Sequence, residues 1–316
     1  MKLSLLLAGS GFPKLRSAVT LLESEDRRVL VDSGLCEDGD KLVAALAVQG
    51  LVPEQIDTIV TTHLHYDHCG NHLRFPNARY IVGGADYEDT RRFIAHYHAD
   101  QSPSKQDTAA ILRRNNAAIK DFYVRAIVRE VTRNLAFYDA LLAGDPRFQP
   151  VTLDAPLWLT SEIEVLPTPG HTPGHLSVVA HGAFGWRLAV DGWRGNDAAR
   201  SFEIENVLPE HNAASGGGEG DSRQPPTANR QPETILIGGD AISSRNGDLG
   251  DGEPHLAWNP KIYGETREAL LAGYDWLIPG HDGLIPTGRA EAGSREIPRS
   301  PTTQPATDNR QPGVTP

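Results

Sequence analysis

Thr62-His63-Leu64-His65-Tyr66-Asp67-His68 packs three histidines and one aspartate into six residues, directly after the β-rich run Ile56 to Thr61. Alternate side chains of extended backbone share a face, so His63 and His65 point the same way. A turn at Asp67-His68 then aims a second pair at the same pocket. Imidazole suits zinc and iron, and both metals accept carboxylate oxygen. A chance cluster of surface histidines would not also find ligands at the ends of later strands.

Such ligands are present. Pro167-Thr168-Pro169-Gly170-His171-Thr172-Pro173-Gly174-His175 follows the strand-like run Glu162 to Leu166. Ile235-Leu236-Ile237-Gly238-Gly239-Asp240 ends an apolar run in an aspartate, and Leu277-Ile278-Pro279-Gly280-His281 ends another in a histidine. Glycine and proline let the backbone turn sharply after each run, so side chains at strand ends reach a common cleft. Seven ligand-type residues at four strand ends suffice for two metal ions. His72, His96, His98, His181, His211 and His255 read as ordinary surface or core residues. His175 reads as a supporting residue, Cys69 as a small packing residue, and Asp191 as the rival to Asp240.

The surrounding sequence sets the frame. Leu3 to Leu7, Ala18 to Leu22, Arg28 to Val31 and Arg79 to Val82 are further strand-like runs, and Asp40 to Gln49 has helical spacing closed by Gly50. Strands alternating with helices argue for an α/β layer fold. Leu176 to Ala180, Arg187 to Val190, Thr234 to Ile237 and Trp276 to Ile278 return to strand character. Residues 84–146 differ. Val124, Val128, Val131, Leu135, Tyr138 and Leu142 step by three and four, one face of a long helix or of two with a bend between Asp107 and Gly144. This insert is expected to cover the core, with an active-site cap or a homodimer face as the alternatives. Residues 209–233 and 286–316 are rich in Gly, Pro and polar side chains and are expected to be disordered, leaving one domain over 1–285. Gln224 to Pro232 reappears in altered form as Gln304 to Pro312, which reads as low-complexity drift.

Composition narrows the function classes. Of 316 residues 39% are hydrophobic, enough for a large core. Lys and Arg total 30 against 41 Asp and Glu, a formal charge of −11, so nucleic acid is disfavoured as a partner and a small-molecule substrate is expected. No run approaches the roughly 18 apolar residues of a membrane span. The opening residues read as a first strand rather than a signal peptide. With only Cys36 and Cys69, no disulfide framework forms, and a cytoplasmic location is expected.

The pattern HxHxDH, then His, then Asp, then His resembles the metallo-β-lactamase-fold hydrolase superfamily, and Asp32 in Val31-Asp32-Ser33-Gly34 sits where that superfamily has an early Asp-x-Gly element. The resemblance covers residues 1 to about 284 outside the insert and the Gly/Pro loop. It implies an αββα sandwich of two mixed sheets with helices on the outer faces. It further implies that His63, His65 and His171 hold one divalent ion, that Asp67, His68 and His281 hold a second, and that Asp240 bridges them. Zinc is the expected metal, with iron or manganese as alternatives. The implied chemistry is attack by a metal-bridging hydroxide on an ester, lactone or thioester carbonyl, with Asp67 and Asp240 orienting the nucleophile and taking its proton. Gln49 to Ile56 and Phe75 to Ala78 resemble metallo-β-lactamase domain-containing protein 1. The same region together with Ile278 to Asp282 also resembles the N-acyl-homoserine lactonases. Those lactonases often carry a tyrosine after the bridging aspartate. Here Ser243-Ser244 follows instead, and Tyr123, Arg133 or Tyr138 of the insert is the substitute expected. Two other readings go with the fold: a mononuclear iron enzyme resembling persulfide dioxygenases, and a metal-dependent phosphodiesterase or ribonuclease.

Overall fold

The computed structural model describes residues 1–11, 15–24, 27–102, 105–115, 121–182, 185–186, 202–205, 234–244, 257–274 and 276–287. Segment 209–233, the run Arg187 to Val190, Asp191, His211, His255, both Gln/Pro/Asn/Arg segments and everything after Thr287 lie outside the described residues.

Strands β1 (Lys2–Leu7), β2 (Val19–Ser24) and β3 (Arg27–Val31) form an antiparallel meander. Helix α1 (Gly39–Val48) crosses over to β4 (Thr58–Val60), which pairs parallel with β3. Strand β5 (Arg79–Gly83) follows, then α2 (Gly84–Ala99), α3 (Gln106–Asn115), α4 (Asp121–Arg133) and α5 (Leu135–Ala143), then β6 (Phe148–Val151). The second half runs β7 (Leu157–Trp158), β8 (Ile163–Pro167), β9 (Leu176–His181), β10 (Gly185–Trp186), β11 (Phe202–Glu205) and β12 (Thr234–Gly239). Helix α6 (Pro260–Gly273), β13 (Trp276–Pro279) and β14 (Ile285–Pro286) complete it. One sheet has the order β10-β11-β1-β2-β3-β4-β5-β6 and the other β14-β13-β12-β9-β8-β7, both of mixed direction.

Period-two alternation assigns each strand side chain to a layer. Leu22, Val29, Val31, Val60 and Ile81 face Val165, Val178, Ile235, Ile237 and Ile278 across the sandwich. Leu21, Leu30, Ile59, Tyr80 and Val82 turn outward onto Leu42 and Leu46 of α1 and the insert. Val179, Leu236 and Leu277 turn outward on the other side onto Leu270 of α6. The four layers expected from the motif pattern are therefore the layers the chain adopts. Among the described residues no helix is long and apolar enough to cross a membrane.

Among the described residues the insert departs from the one- or two-helix expectation: between Gln106 and Ala143 it shows three helical segments, α3, α4 and α5. Asn134 breaks the last two, with φ −104° and ψ 20°, and its side-chain amide donates to the Cys69 carbonyl at 3.3 Å. The apolar spacing passes unbroken over this kink because Leu135 starts a new helix whose Phe137, Tyr138 and Leu141 return to the same core cluster as Val131. Gly144 at φ 76° closes α5 in the left-handed region that glycine adopts without penalty. The described chain continues as β14 past residue 285, and Thr287 Oγ1 donates to the Tyr274 carbonyl at 2.6 Å.

Candidate metal centre

All seven ligand-type residues sit where a strand ends. The loop after β4 carries His63, His65, Asp67 and His68, and its turn is closed by the His68 N–H donating to the His65 carbonyl at 3.0 Å. His171 lies between β8 and β9, Asp240 directly follows β12, and His281 follows β13. The glycines before the last two residues are steric requirements. Gly239 has φ 51°, and a Cβ there would lie 2.7 Å from Thr62 Cβ. A Cβ on Gly280 would overlap Asp240 Oδ1.

These turns bring the seven side chains together as three overlapping donor groups, His63–His65–His171, His63–His68–Asp240 and Asp67–His68–His281, each with its donor atoms within 4.8 Å of one another. His65 Nδ1 lies 2.9 Å from His63 Nε2 and 3.1 Å from His171 Nε2. Asp240 stands between the groups: Oδ1 is 3.2 Å from His281 Nε2 and 3.5 Å from His68 Nε2, and Oδ2 is 3.5 Å from His171 Nε2. Asp67 Oδ2 is 3.7 Å from His281 Nε2 and 3.9 Å from His68 Nε2. Zinc–nitrogen bonds of roughly 2.0–2.1 Å at tetrahedral angles set donors about 3.3 Å apart, so the spacing fits. His68 Nε2 and Asp240 Oδ1 are buried with no hydrogen-bond partner among the described residues. Orphaned buried polar atoms are costly, and a cation between these two satisfies both. Six of the seven side chains are buried, and His65 alone opens to solvent.

The back of each ring shows which nitrogen faces the centre. His68 Nδ1 lies 2.8 Å from Asp32 Oδ2, and His281 Nδ1 lies 3.0 Å from the Arg16 carbonyl. The Arg16 carbonyl only accepts, and the Asp32 carboxylate accepts when ionised, so both Nδ1 atoms donate and both Nε2 atoms are the ones left to face a cation. Asp32 also accepts from the Thr62 N–H and hydroxyl, each at 2.8 Å. The Thr62 hydroxyl oxygen in turn lies 3.2 Å from His63 Nδ1. Asp32 holds φ 61°, a left-handed conformation that costs a non-glycine residue of order 1–3 kcal/mol.

Electrostatics divides the centre. Burial, reinforced by neighbouring rings, pushes the His63 and His171 pKa values well below the ordinary imidazole value, and burial lowers His65 as well. These rings are neutral at neutral pH, the form that binds metal. Burial also acts to lower His68 and His281, but Asp32, Asp240 and Asp67 around the first, and Asp240 and Asp67 around the second, raise both. Burial would raise Asp240; His281, His68 and His171 outweigh it and hold the carboxyl well below the usual carboxylate range. A carboxylate that stays ionised between two groups of imidazoles is a cation-binding arrangement.

The remaining expectations resolve as follows. His175 is buried with Nδ1 2.9 Å from Thr168 Oγ1 and its ring stacked on His63 at 5.2 Å, outside all three donor groups. The buried Cys69 thiol points back to the His65 carbonyl at 3.2 Å. Tyr138 does not face the site: it is buried behind the ligand loop and donates to the Leu64 carbonyl at 3.2 Å. Arg133 is taken up by Glu130 at 2.9 Å, and the Tyr123 side chain lies outside the described residues. Sequence reasoning assigned no role to Thr62, to the Arg16 carbonyl or to Asp86, whose carboxylate accepts from the Thr172 hydroxyl and the Gly174 N–H, both at 2.6 Å.

A four-layer sandwich with seven His and Asp donors gathered at one end is the architecture of a metal-binding α/β/β/α protein. The family model of the metallo-beta-lactamase superfamily matches residues 13–184, and the chain belongs to that superfamily. It is similar to an N-acyl homoserine lactonase from Bacillus sp, 26% identical over 182 residues that make up 50% of this chain and 56% of the lactonase. Metallo-beta-lactamase domain-containing protein 1 of Rattus norvegicus is 44% identical over 66 residues, 21% of this chain and 26% of that protein. The chain thus spans little more than half of the lactonase and about a quarter of the rat protein. Among solved structures, a Thermotoga maritima protein classed with the metallo-beta-lactamases shares the fold at TM-score 0.51 and 17% identity, over 90% of this chain and 98% of that one.

Proposed function

We propose that this protein is a metal-dependent hydrolase with a two-cation centre that opens an ester, lactone or thioester carbonyl of a small molecule. One observation carries the reading: three overlapping His/Asp donor groups, drawn from four strand ends, meet in one buried cluster. His63, His65 and His171 would hold one divalent ion, and Asp67, His68 and His281 the other. Asp240 would lie between them: Oδ2 is 3.5 Å from His171 Nε2 and 3.3 Å from His281 Nε2, and Oδ1 is 3.2 Å from His281 Nε2. Zinc suits this imidazole-rich set, and iron or manganese is compatible with it. Bound there, two divalent ions would supply Lewis-acid polarisation of a carbonyl oxygen and water that ionises near neutral pH.

The chain supplies the rest. Asp32, the Arg16 carbonyl and Thr62 fix the rings so that lone pairs face inward. Asp67 and Asp240 are the carboxylates within reach of the reacting water, placed to orient it and take its proton. The open side at His65 is the side from which substrate approaches. The lactonase relative supports a carbonyl substrate.

Elemental analysis of the purified chain, run beside a panel of lactones, thioesters, esters and phosphodiesters, tests this. We expect two metal ions per chain and turnover on the carbonyl substrates. His63→Ala and Asp240→Ala should each lose metal and at least 10³-fold in kcat/KM, about 4 kcal/mol of transition-state stabilisation. One iron per chain with oxygen uptake would replace this reading with a mononuclear oxygenase. Full turnover by metal-loaded Asp240→Ala would remove Asp240 from the centre.

A further inference from the structure

We propose that Asp86, the third residue of α2, is a positioning residue that sets the His171 imidazole for the His63–His65–His171 cation. The inference rests on the two-cation reading above and goes beyond it, because Asp86 touches no ligand-bearing side chain.

His171 is held differently from its neighbours. The second ring nitrogens of His68, His281 and His63 reach Asp32, the Arg16 carbonyl and the Thr62 hydroxyl. His171 Nδ1 is buried and has no hydrogen-bond partner among the described residues. With nothing gripping the back of the ring, its direction is inherited from the loop on which it stands. On one flank that loop is fixed by the segment leading into α6: the Trp258 N–H donates to the His171 carbonyl at 2.8 Å, the Asn259 N–H to the Gly170 carbonyl at 3.0 Å, and Thr266 Oγ1 to the Pro169 carbonyl at 2.8 Å. On the other flank both Asp86 oxygens are used, Oδ2 accepting from Thr172 Oγ1 and Oδ1 from the Gly174 N–H, at 2.6 Å each. Asp86 is the carboxylate that grips the residues just past His171.

The contact is built with close tolerance. A Cβ on Gly83 would overlap the Gly174 carbonyl, and a Cβ on Gly174 would lie 2.6 Å from the Asp86 backbone nitrogen. Both chains approach so closely because neither residue has a side chain. The Asp86 side chain is 4% exposed, and burial lifts its pKa to about 6, against the pull of Thr172 and Gly174. A carboxylate kept in such a place is costly, and the two short bonds to the loop are what it obtains there. An alanine makes neither bond, whereas an asparagine keeps both in weaker, uncharged form, its oxygen accepting from the Gly174 N–H and its amide donating to the Thr172 hydroxyl oxygen.

The test is zinc binding to the full chain, stripped with chelator at neutral pH and titrated against a chromophoric competitor. Wild type should bind two equivalents. Asp86→Ala should weaken one equivalent at least tenfold and leave the other unchanged, as loss of a ligand-orienting partner does, and Asp86→Asn should weaken the same equivalent less. Thr172→Val should also weaken that equivalent less than Asp86→Ala does. Asp86→Ala combined with Thr172→Val should lose no more than Asp86→Ala alone, since the two remove one shared contact. Equal weakening of both equivalents, no weakening of either, or additive losses would overturn the proposal and reduce Asp86 to a brace between the sheets. If the aspartate variants fail to fold, the selective loss in Thr172→Val decides the matter. Two tight equivalents in wild type together with two in Asp86→Ala would sink this inference alone. A wild type that binds no zinc at the three-histidine group would sink the two-cation reading along with it.

Discussion

Buried histidines do two different jobs here. Those of the metal centre present lone pairs to one another, whereas His72 has both nitrogens satisfied by hydroxyls, Ser33 Oγ at 2.7 Å and Thr61 Oγ1 at 2.6 Å, with Tyr80 and Phe137 against its ring. Burial, with Arg147 adding to it, lowers its pKa from 6.5 to about 3. The folded pKa lies below the unfolded one, so acid loads a proton onto the unfolded chain that the folded chain refuses. The contribution is intact above pH 6.5 and is lost as pH falls toward 3. The loss is about 3 kcal/mol between pH 6.5 and pH 4. Urea unfolding of chelated protein at several pH values checks this. His72→Gln should be less stable at pH 7 yet lose correspondingly less on acidification, and an unchanged slope would place the acid sensitivity elsewhere. Four of the candidate donors were readable in the sequence from their dense spacing after one strand, and His171, Asp240 and His281 because glycine or proline marks the turn before each. Their supports were not. The Arg16 carbonyl that orients His281 lies 265 residues away and, being backbone, carries no residue signature. Asp86 lies 86 residues from Thr172, a pairing that no local pattern announces.

Among the elements, strands declared themselves through period-two alternation between two apolar layers, as Leu21 and Leu22 do by entering different core clusters. A bend in the insert was among the expectations, but its place at Asn134 was not legible, because helical periodicity continues across that residue while the backbone turns. That break has a task. Asn134 donates to the Cys69 carbonyl at 3.3 Å and Tyr138 to the Leu64 carbonyl at 3.2 Å, so the insert underpins the loop that carries four donors. Tyr138→Phe should cost about 1 kcal/mol, the usual net worth of one hydrogen bond. Tyr138→Ala should cost roughly 3–5 kcal/mol, since it also opens a cavity beneath the loop. Denaturant unfolding of the two variants reads both values. A phenylalanine variant as stable as wild type would show that the hydroxyl does not support the loop.

Over the whole molecule, the donors divide between the sheets: four follow β4 in one, and three follow β8, β12 and β13 in the other. Zinc at a hundred times its dissociation constant should therefore stabilise the fold by about 2.7 kcal/mol for each ion bound, seen as a rise in Tm that a chelator reverses. A Tm indifferent to zinc would mean that the clustered side chains do not bind it.

That division would make bound cations fasteners between two halves of one polypeptide. A protein nicked in the connection between β6 and β7 would carry four of the anchoring groups on one fragment and three on the other. Zinc should keep such fragments associated through gel filtration at dilutions where chelation lets them part. The same ions proposed to carry out the chemistry would then also rivet the enzyme together, and starving a cell of metal would loosen the scaffold as well as silence the catalyst.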